Sequence, residues 1–312
     1  MENKEKNFIS AVIYVHNAED RIEVFLKTII EVMEENFEKS EIICVNDCSS
    51  DGSVECIKNA SKLASRTNVS ILNMSYFHGL EVAMNAGVDL SIGDFVLEFD
   101  TTFLDFDKTE IMKIYRKSLE GYDVVSTSPG KKQKFTSSLF YCIFDKFTNL
   151  SYKIYSESFR ILSRRVINRV SSMNKSVPYR KAVYANCGLK TLNIKYKPTH
   201  CNVRKQDKAE KKYRKSLAAD TLILFTEVGY RFSMSMTAFM IFMTICMAVY
   251  SLIVYLTSNP VEGWTTTILF LSFVFFGLFG ILTIIIKYLQ ILVDLVFRRK
   301  KYSFESIEKL TK

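Results

Sequence analysis

Charge is missing from two long stretches of this sequence, and histidine and paired cysteine are scarce throughout. No charged residue occurs from Phe232 to Pro260, and none from Gly263 to Ile286. Each run exceeds the roughly 20 apolar residues that carry a helix across a hydrocarbon core. Helices apolar on every face are unusual on a soluble surface, so the two runs predict membrane spans. Only three histidines are present (His16, His78 and His200), which leaves little material for a Ser–His–Asp or multi-histidine metal site. The seven cysteines form no C-x-x-C pair, and their odd number argues against a disulfide framework or a zinc site. The opening MENKEKNFISAVIYV has too short an apolar run for a signal peptide. The soluble part is therefore expected to stay inside.

What is present fits that placement. The connector between the apolar runs holds Pro260 and Gly263, and its only charge is Glu262, so the runs form a hairpin. Lys211, Lys212, Arg214, Lys215 and Arg231 precede it, and Arg298, Arg299, Lys300 and Lys301 follow. Positive charge marks the cytoplasmic side, so a multi-pass cell-membrane protein is expected, with both termini cytoplasmic and the loop outside. The formal net charge of +9 is accounted for by basic flanks that attract anionic lipid headgroups. The Lys-rich run at 205–215 lacks aromatic interleaving or a base-reading motif, so no nucleic-acid partner is expected. The expected divisions are 1–208 for the main domain, 209–231 for a juxtamembrane amphipathic helix, 232–257 and 265–288 for the spans, 258–264 for the external loop, and 289–312 for a basic tail.

Before the spans, β-branched apolar runs alternate with helical spacing. Strands are expected at Phe8–Val15, Glu41–Val45, Val69–Leu72, Asp94–Phe99 and Asp123–Ser126. Helices are expected at Arg21–Phe37, Val54–Ala64, Gly79–Leu90 and Lys108–Leu119. This alternation predicts an α/β fold with a parallel sheet, whose ligands sit beyond the carboxyl ends of the strands. Beyond Gly130 the pattern changes. Phe135–Tyr155 is aromatic and amphipathic, Phe159–Val170 reads as a strand turning into a basic helix, and Thr191–Pro198 alternates like a strand.

Three clusters could carry chemistry. Asn46–Ser53 follows a strand and opens a helix, where its carboxylates and hydroxyls could accept hydrogen bonds from a base or ribose. The plain structural alternative is a helix cap by Ser50 or Asp51, and both can hold. Glu98–Asp105 ends another strand, where carboxylates could hold Mg²⁺ or Mn²⁺ against a diphosphate. The alternative there is an acidic turn with Asp107 as cap. In Ser158–Arg165, guanidinium groups could bind phosphate. Arg164 and Arg165 could equally be a solvated helix face.

Taken in order, these segments resemble the family 2 glycosyltransferases with a GT-A fold, and within them the polyprenyl-phosphate branch. The likeness is carried by several matched segments. Ile9–Glu19 answers a strand ending P-x-Y-N-E, with Tyr14 for its proline and His16 for its tyrosine. Val45–Ser53 answers V-D-D-G-S-x-D-G-T. Gly79–Gly87 with Gly93–Asp94 answers the segment before a D-x-D strand, and Glu157–Arg165 answers G-D-F-R-L-x-x-R-R. Lys212–Tyr213 answers the S-K-Y before the membrane. The family's D-A-D-L-x-D reads Asp100-Thr101-Thr102-Phe103-Leu104-Asp105, so its second carboxylate is a threonine. Processive synthases of the superfamily carry Q-x-x-R-W on an interfacial helix, whereas the only tryptophan here, Trp264, falls at the hairpin.

The resemblance implies an α/β domain of GT-A type, with a largely parallel sheet, followed by a transmembrane hairpin. It implies transfer of a sugar from a nucleotide-sugar, UDP-linked by analogy, to a polyprenyl phosphate in the bilayer. On that likeness Tyr14, His16, Asn17, Glu19, Asp47, Asp100 and Thr102 would bind the donor. Arg160, Arg164 and Lys212 would meet the phosphates, Asp100 and Arg160 would serve catalysis, and Asp100 with Asp105 would hold Mg²⁺ or Mn²⁺. A homo-oligomer is compatible with the likeness. The alternative it leaves is a catalytically impaired relative acting as a membrane-bound binding or scaffold subunit.

Overall fold

The computed structural model describes residues 4–130, 157–172, 179–185, 187–199, 235–236, 239–240, 242–243, 246, 264–297 and 302–311. Two compact units divide the chain: Met1–Ala218 with Arg299–Lys312, and Ala219–Arg298.

The first unit is built on an eight-stranded sheet in the order β7-β5-β6-β4-β1-β2-β3-β8. Its strands are β1 (Ile9–Val15), β2 (Ser40–Asn46), β3 (Asn68–Met74), β4 (Phe95–Phe99), β5 (Val124–Pro129), β6 (Phe159–Ser163), β7 (Thr191–Tyr196) and β8 (Phe304–Lys309). β1 pairs in parallel with both β2 and β4, and β2 with β3. Antiparallel β6 lies between β4 and β5, and β5 pairs in parallel with β7.

Between strands lie α1 (Ile22–Asn36), α2 (Ser53–Ser61), α3 (Leu80–Leu90) and α4 (Thr109–Leu119), followed by α5 (Arg164–Ser172) and α6 (Arg180–Ala185). The pleat sorts β1 by parity. Ile9, Ala11, Ile13 and Val15 face one core with α1, α2 and α4, while Val12 and Tyr14 face a second core with α3, α5 and α6. Buried Ile22, Phe25, Leu26, Ile29, Ile30 and Met33 make the inward stripe of α1. At Gly87, α3 comes so near the sheet that an added Cβ would lie 2.5 Å from Val12 Cγ1 and Val45 Cγ2. This three-layered, mainly parallel α/β architecture is the one expected from the alternating pattern.

The structure adds one strand with no counterpart in that pattern. Residues within the 289–312 segment, expected as a tail, form β8, which pairs antiparallel with β3 and sets Ile307 opposite Leu72. Without it β3 would be a bare edge, the kind of feature proteins ordinarily cover.

In the second unit, α7 (Trp264–Phe297) is a single helix of 34 residues, about 51 Å long at 1.5 Å per residue. It contains the second uncharged run and continues beyond residue 288. Most of 232–257 lies outside the described residues, as do the helix expected at 209–231, Phe135–Tyr155 and all of the loop expected at 258–264 except Trp264, which opens α7. α7 has the length for a span, but most of the first uncharged run lies outside the described residues and no span is found over the described residues, so the hairpin is not shown.

Candidate active site

The carboxyl ends of β1, β2, β3 and β4 lie together, because all four strands run in parallel side by side. Their following loops therefore share one end of the sheet. Asp47, just after β2, is fully buried. Its Oδ2 accepts from Tyr14 Oη at 3.0 Å and from the Gly79 backbone N–H at 2.8 Å, and its Oδ1 accepts from the His78 N–H at 2.8 Å. It thus stands at the amino end of α3, where the helix dipole favours an anion. His16 Nδ1 lies 2.7 Å from the Asp47 carbonyl oxygen, and its ring packs on Phe77 with centroids 4.7 Å apart.

Asn17 and Glu19 lace the β1 and β2 loops together. Asn17 adopts a left-handed backbone with φ of 45°, and its Oδ1 accepts from the Ser50 N–H at 2.9 Å. Asn tolerates that conformation better than most residues. Glu19 Oε2 accepts from the Gly52 N–H at 3.0 Å. Asp51 Oδ1 accepts from the Ser53 N–H at 3.1 Å, and Asp107 Oδ1 from the Thr109 N–H at 2.8 Å. Each carboxylate thus accepts from the first backbone N–H of a helix, but the cap positions themselves are Gly52 and Lys108, not Asp51 and Asp107 as the plain structural alternative expected.

After β4 the loop meets a buried ion-pair cluster. Asp100 Oδ2 accepts from Arg160 Nη2 at 2.5 Å and Oδ1 from Arg180 Nη2 at 2.7 Å. Arg160 also reaches Glu98 Oε2 at 2.5 Å and Glu157 Oε2 at 3.0 Å. Arg180 reaches Glu81 Oε2 through Nε at 3.0 Å, and its Nη1 sits 2.8 Å from Glu98 Oε1, off the line of a hydrogen bond. Tyr184 Oη donates to Glu98 Oε1 at 2.8 Å. Both arginine side chains are 1% exposed. Burial alone would raise the Asp100 carboxyl, but the charges of Arg160, Arg180 and Lys181 outweigh it and hold the group well below the usual carboxylate range.

Two sets of contacts tie the β2 loop to the β4 loop. One runs from Asp47 through Gly79 at the start of α3 to Glu81, Arg180 and Asp100. The other crosses the loops from Ser50 to Asn17, then Arg21, whose Nη2 donates to the Asn17 carbonyl oxygen and whose Nε donates to Thr102 Oγ1 at 2.8 Å. Thr102 is buried and one residue beyond Asp100's neighbour Thr101. The structure therefore brings Tyr14, His16, Asn17, Glu19, Asp47, Asp100, Thr102 and Arg160 to one end of the sheet.

It does not bring Arg164 there. β6 runs antiparallel to β4, so Arg160 faces Glu98 near the carboxyl end of β4 while Ser163 faces Phe95 at its start. Arg164 donates through Nε to the Gly93 carbonyl oxygen at 2.9 Å, at the opposite end of β4. Five strand residues at about 3.3 Å each separate these positions by roughly 16 Å. Lys212 lies outside the described residues.

The donor atoms do not suit a protein-held divalent ion. Both Asp100 oxygens already accept from guanidinium groups. Asp105 Oδ1 accepts from Tyr196 Oη at 2.8 Å, and Thr102 offers a hydroxyl where a carboxylate was looked for. Among the described residues, no three His, Cys, Asp or Glu side chains gather to hold a metal. An ion at Asp100 would also sit beside two positive charges, and like unit charges 4 Å apart repel by about 4 kcal/mol at an effective dielectric near 20.

Residues 10–172 match the sequence profile described as Glycosyl transferase family 2, a little over half of the chain. The chain belongs to this family. Among its relatives, the family 2 chain is 28% identical over 186 residues to an uncharacterized glycosyltransferase, sll0501, of Synechocystis, covering 58% of each protein. It is 29% identical over 194 residues to a prophage bactoprenol glucosyl transferase homolog of Escherichia coli, covering 60% of this chain and 62% of the relative. It is 29% identical over 174 residues to an undecaprenyl-phosphate 4-deoxy-4-formamido-L-arabinose transferase of Aeromonas hydrophila, covering 54% and 52%. The latter two, named for bactoprenol and undecaprenyl-phosphate transfer, support the polyprenyl-phosphate branch. The chain spans less than two thirds of their length. A solved structure, glucosyl-3-phosphoglycerate synthase of Mycobacterium tuberculosis with Mn²⁺, UDP-glucose and phosphoglyceric acid, is 13% identical with a TM-score of 0.47, covering 70% of this chain and 78% of that one.

Arg180, Lys181, Glu81 and Arg21 were not singled out as site residues from the sequence. Arg180 opens a six-residue helix, too short for a periodic signal, and its partners lie 80 and 99 residues away. The one usable hint was the carboxylate pair of Glu98, on an otherwise apolar strand, and Asp100 just past its end, since buried charges demand partners.

Proposed function

We propose that this protein transfers a sugar from a nucleotide-sugar, UDP-linked by analogy, to a polyprenyl phosphate at the cytoplasmic face of a membrane. The observation that carries the reading is that the loops bearing Asp47 and Asp100 are tied together at one sheet end, through the start of α3 with Arg180 and through Asn17 with Arg21. Matching relatives named for bactoprenol and undecaprenyl-phosphate transfer support the acceptor class. The two uncharged runs of the sequence support a membrane hairpin that would hold the catalytic unit beside its lipid substrate.

Tyr14, His16, Asn17, Glu19 and Asp47 would bound the nucleoside, with Asp100 and Thr102 beside the diphosphate. Arg160 would fix Asp100 in place, and Lys212 would meet the acceptor phosphate. The reaction is an inverting displacement: a lipid phosphate oxygen attacks C1, the C1–O bond to the diphosphate breaks, and the nucleoside diphosphate leaves with that electron pair. A phosphate monoester has a second pKa near 6 and is already largely dianionic at neutral pH. It therefore needs no general base, unlike a sugar hydroxyl. The charge on the leaving group still requires stabilisation.

A second reading, a binding or scaffold subunit without activity, is favoured by Thr102 and by the closed ion pairs of Asp100. Purified full-length protein in vesicles with undecaprenyl phosphate and a panel of radiolabelled nucleotide-sugars separates the two. Labelled lipid product from one donor is expected. Nucleotide binding with no lipid product from any donor would favour the scaffold.

A further inference from the structure

The cations around Asp100 differ in how they are engaged. Arg160 is in contact with three carboxylates, Glu98, Asp100 and Glu157, and Arg180 with Glu81, Glu98 and Asp100. Lys181 is the exception. Its Nζ lies 3.8 Å from Asp100 Oδ2, beyond hydrogen-bonding reach, and its side chain is 12% exposed. An ammonium carries three donors, so Lys181 holds a charge whose hydrogen bonds are not taken up by that contact. It lines a small cavity with Glu157, Arg160, Tyr184 and Ser126.

Arg21 meets the Asp100 loop further on, at Thr102 and Phe103. Its guanidinium is stacked 4.7 Å above the Phe103 ring, and its Nε donates to Thr102, a neutral hydroxyl. Among the described residues its carboxylate contact is Asp20, whose side chain is 74% exposed, and such an exposed pair is weak; its Nη2 donates to the neutral Asn17 carbonyl oxygen. A carboxylate at position 102 would neutralise Arg21. The threonine leaves that charge largely uncompensated.

We infer that Arg21 and Lys181 meet the charge of the donor's diphosphate directly, in place of a divalent metal held by Asp100. The inference rests on the glycosyl-transfer reading and deepens it. The metal position is closed from both sides: the Asp100 oxygens accept from Arg160 and Arg180, and the second carboxylate is absent. Asp100 then serves as the anchor that orders Arg160, Arg180 and Lys181 around the loop. Fixed guanidinium and ammonium groups stabilise a leaving diphosphate by the same electrostatics as a metal clamp.

The test uses full-length protein in lipid nanodiscs and UDP and GDP as probes, titrated by calorimetry in EDTA and again in Mn²⁺. Whichever nucleotide binds is expected to do so within about twofold in the two conditions. Lys181→Gln and Arg21→Gln are each expected to weaken it tenfold or more in EDTA, and Lys181→Arg to recover most of the loss. Circular dichroism melts establish that each variant is folded. Electron paramagnetic resonance of Mn²⁺ without nucleotide supplies a readout independent of binding and turnover, and free Mn²⁺ signal undiminished by the protein is expected. Nucleotide binding that weakens tenfold or more in EDTA, or a bound-Mn²⁺ signal abolished by Asp100→Asn, would overturn the inference while leaving glycosyl transfer intact. No binding of either nucleotide in either condition would overturn both.

Discussion

Arg180 Nη2 donates to Asp100 Oδ1 at 2.7 Å, joining two residues 80 positions apart in the chain. The same side chain reaches Glu81 through Nε at 3.0 Å, so one guanidinium fixes the β4 loop to the first turn of α3. That turn is also where Asp47 accepts the His78 and Gly79 N–H groups. The β2 and β4 loops are thereby held to one another through a helix start.

Arg180→Ala is expected to cost about 3–5 kcal/mol of unfolding free energy, because it strands Asp100, Glu81 and Glu98 with too little positive charge in a buried site. Urea denaturation measures this. Arg180→Lys is expected to recover only part of it, since a point charge does not span carboxylates that a planar fork bridges.

Asp100 also sets an acid dependence. Its carboxyl is held well below the usual range by neighbouring positive charge, so its stabilising contribution is complete above the unfolded value of about 3.9 and is lost as pH falls below it. Urea midpoints of the parent protein should fall between pH 5 and pH 3. Asp100→Asn should be less stable at pH 7 and show a shallower fall over the same interval.

Gly87→Val is expected to destabilise the first unit by about 1–3 kcal/mol through overpacking, because Val12 and Val45 already occupy the space around its Cα. Thermal melts check this, and an unchanged melting temperature would mean that α3 can move off the sheet.

Much of this arrangement was legible in sequence. The β-branched runs fixed the first five strands to within a few residues, because each is buried on both faces or alternates cleanly. Strand-end logic placed Asn17, Glu19, Asp47 and Asp100 at one end, since parallel strands share a direction. Arg164 was grouped with Arg160 on the family likeness, and the structure sets it at the opposite end of β4. β6 runs antiparallel to β4, and strand direction is not written in a five-residue apolar run. Arg180 and Lys181 escaped notice because their partners are set by tertiary contact alone. β8 was unreadable for another reason: its sequence FESIEK is charged and half-exposed, and edge strands carry charge to discourage further pairing.

Removing residues 302–312 is expected to bare the edge of β3, where Leu72 now faces Ile307, and to release the Lys58–Glu308 pair and the Ser303 contact with His78. The melting temperature should fall by about 4 °C or more, the shift that 1–2 kcal/mol produces in a domain of this size. Light scattering should show association through the uncovered edge.

Shared donor binding by the β2 and β4 loops is most directly tested by hydrogen exchange of the full-length protein with and without saturating UDP-glucose or GDP-mannose, whichever supports lipid transfer. Slowed exchange in both 46–53 and 100–106, abolished in both by Asp47→Ala alone, is the expected result. Protection of one segment without the other, or of neither, would contradict a single donor site at this end of the sheet.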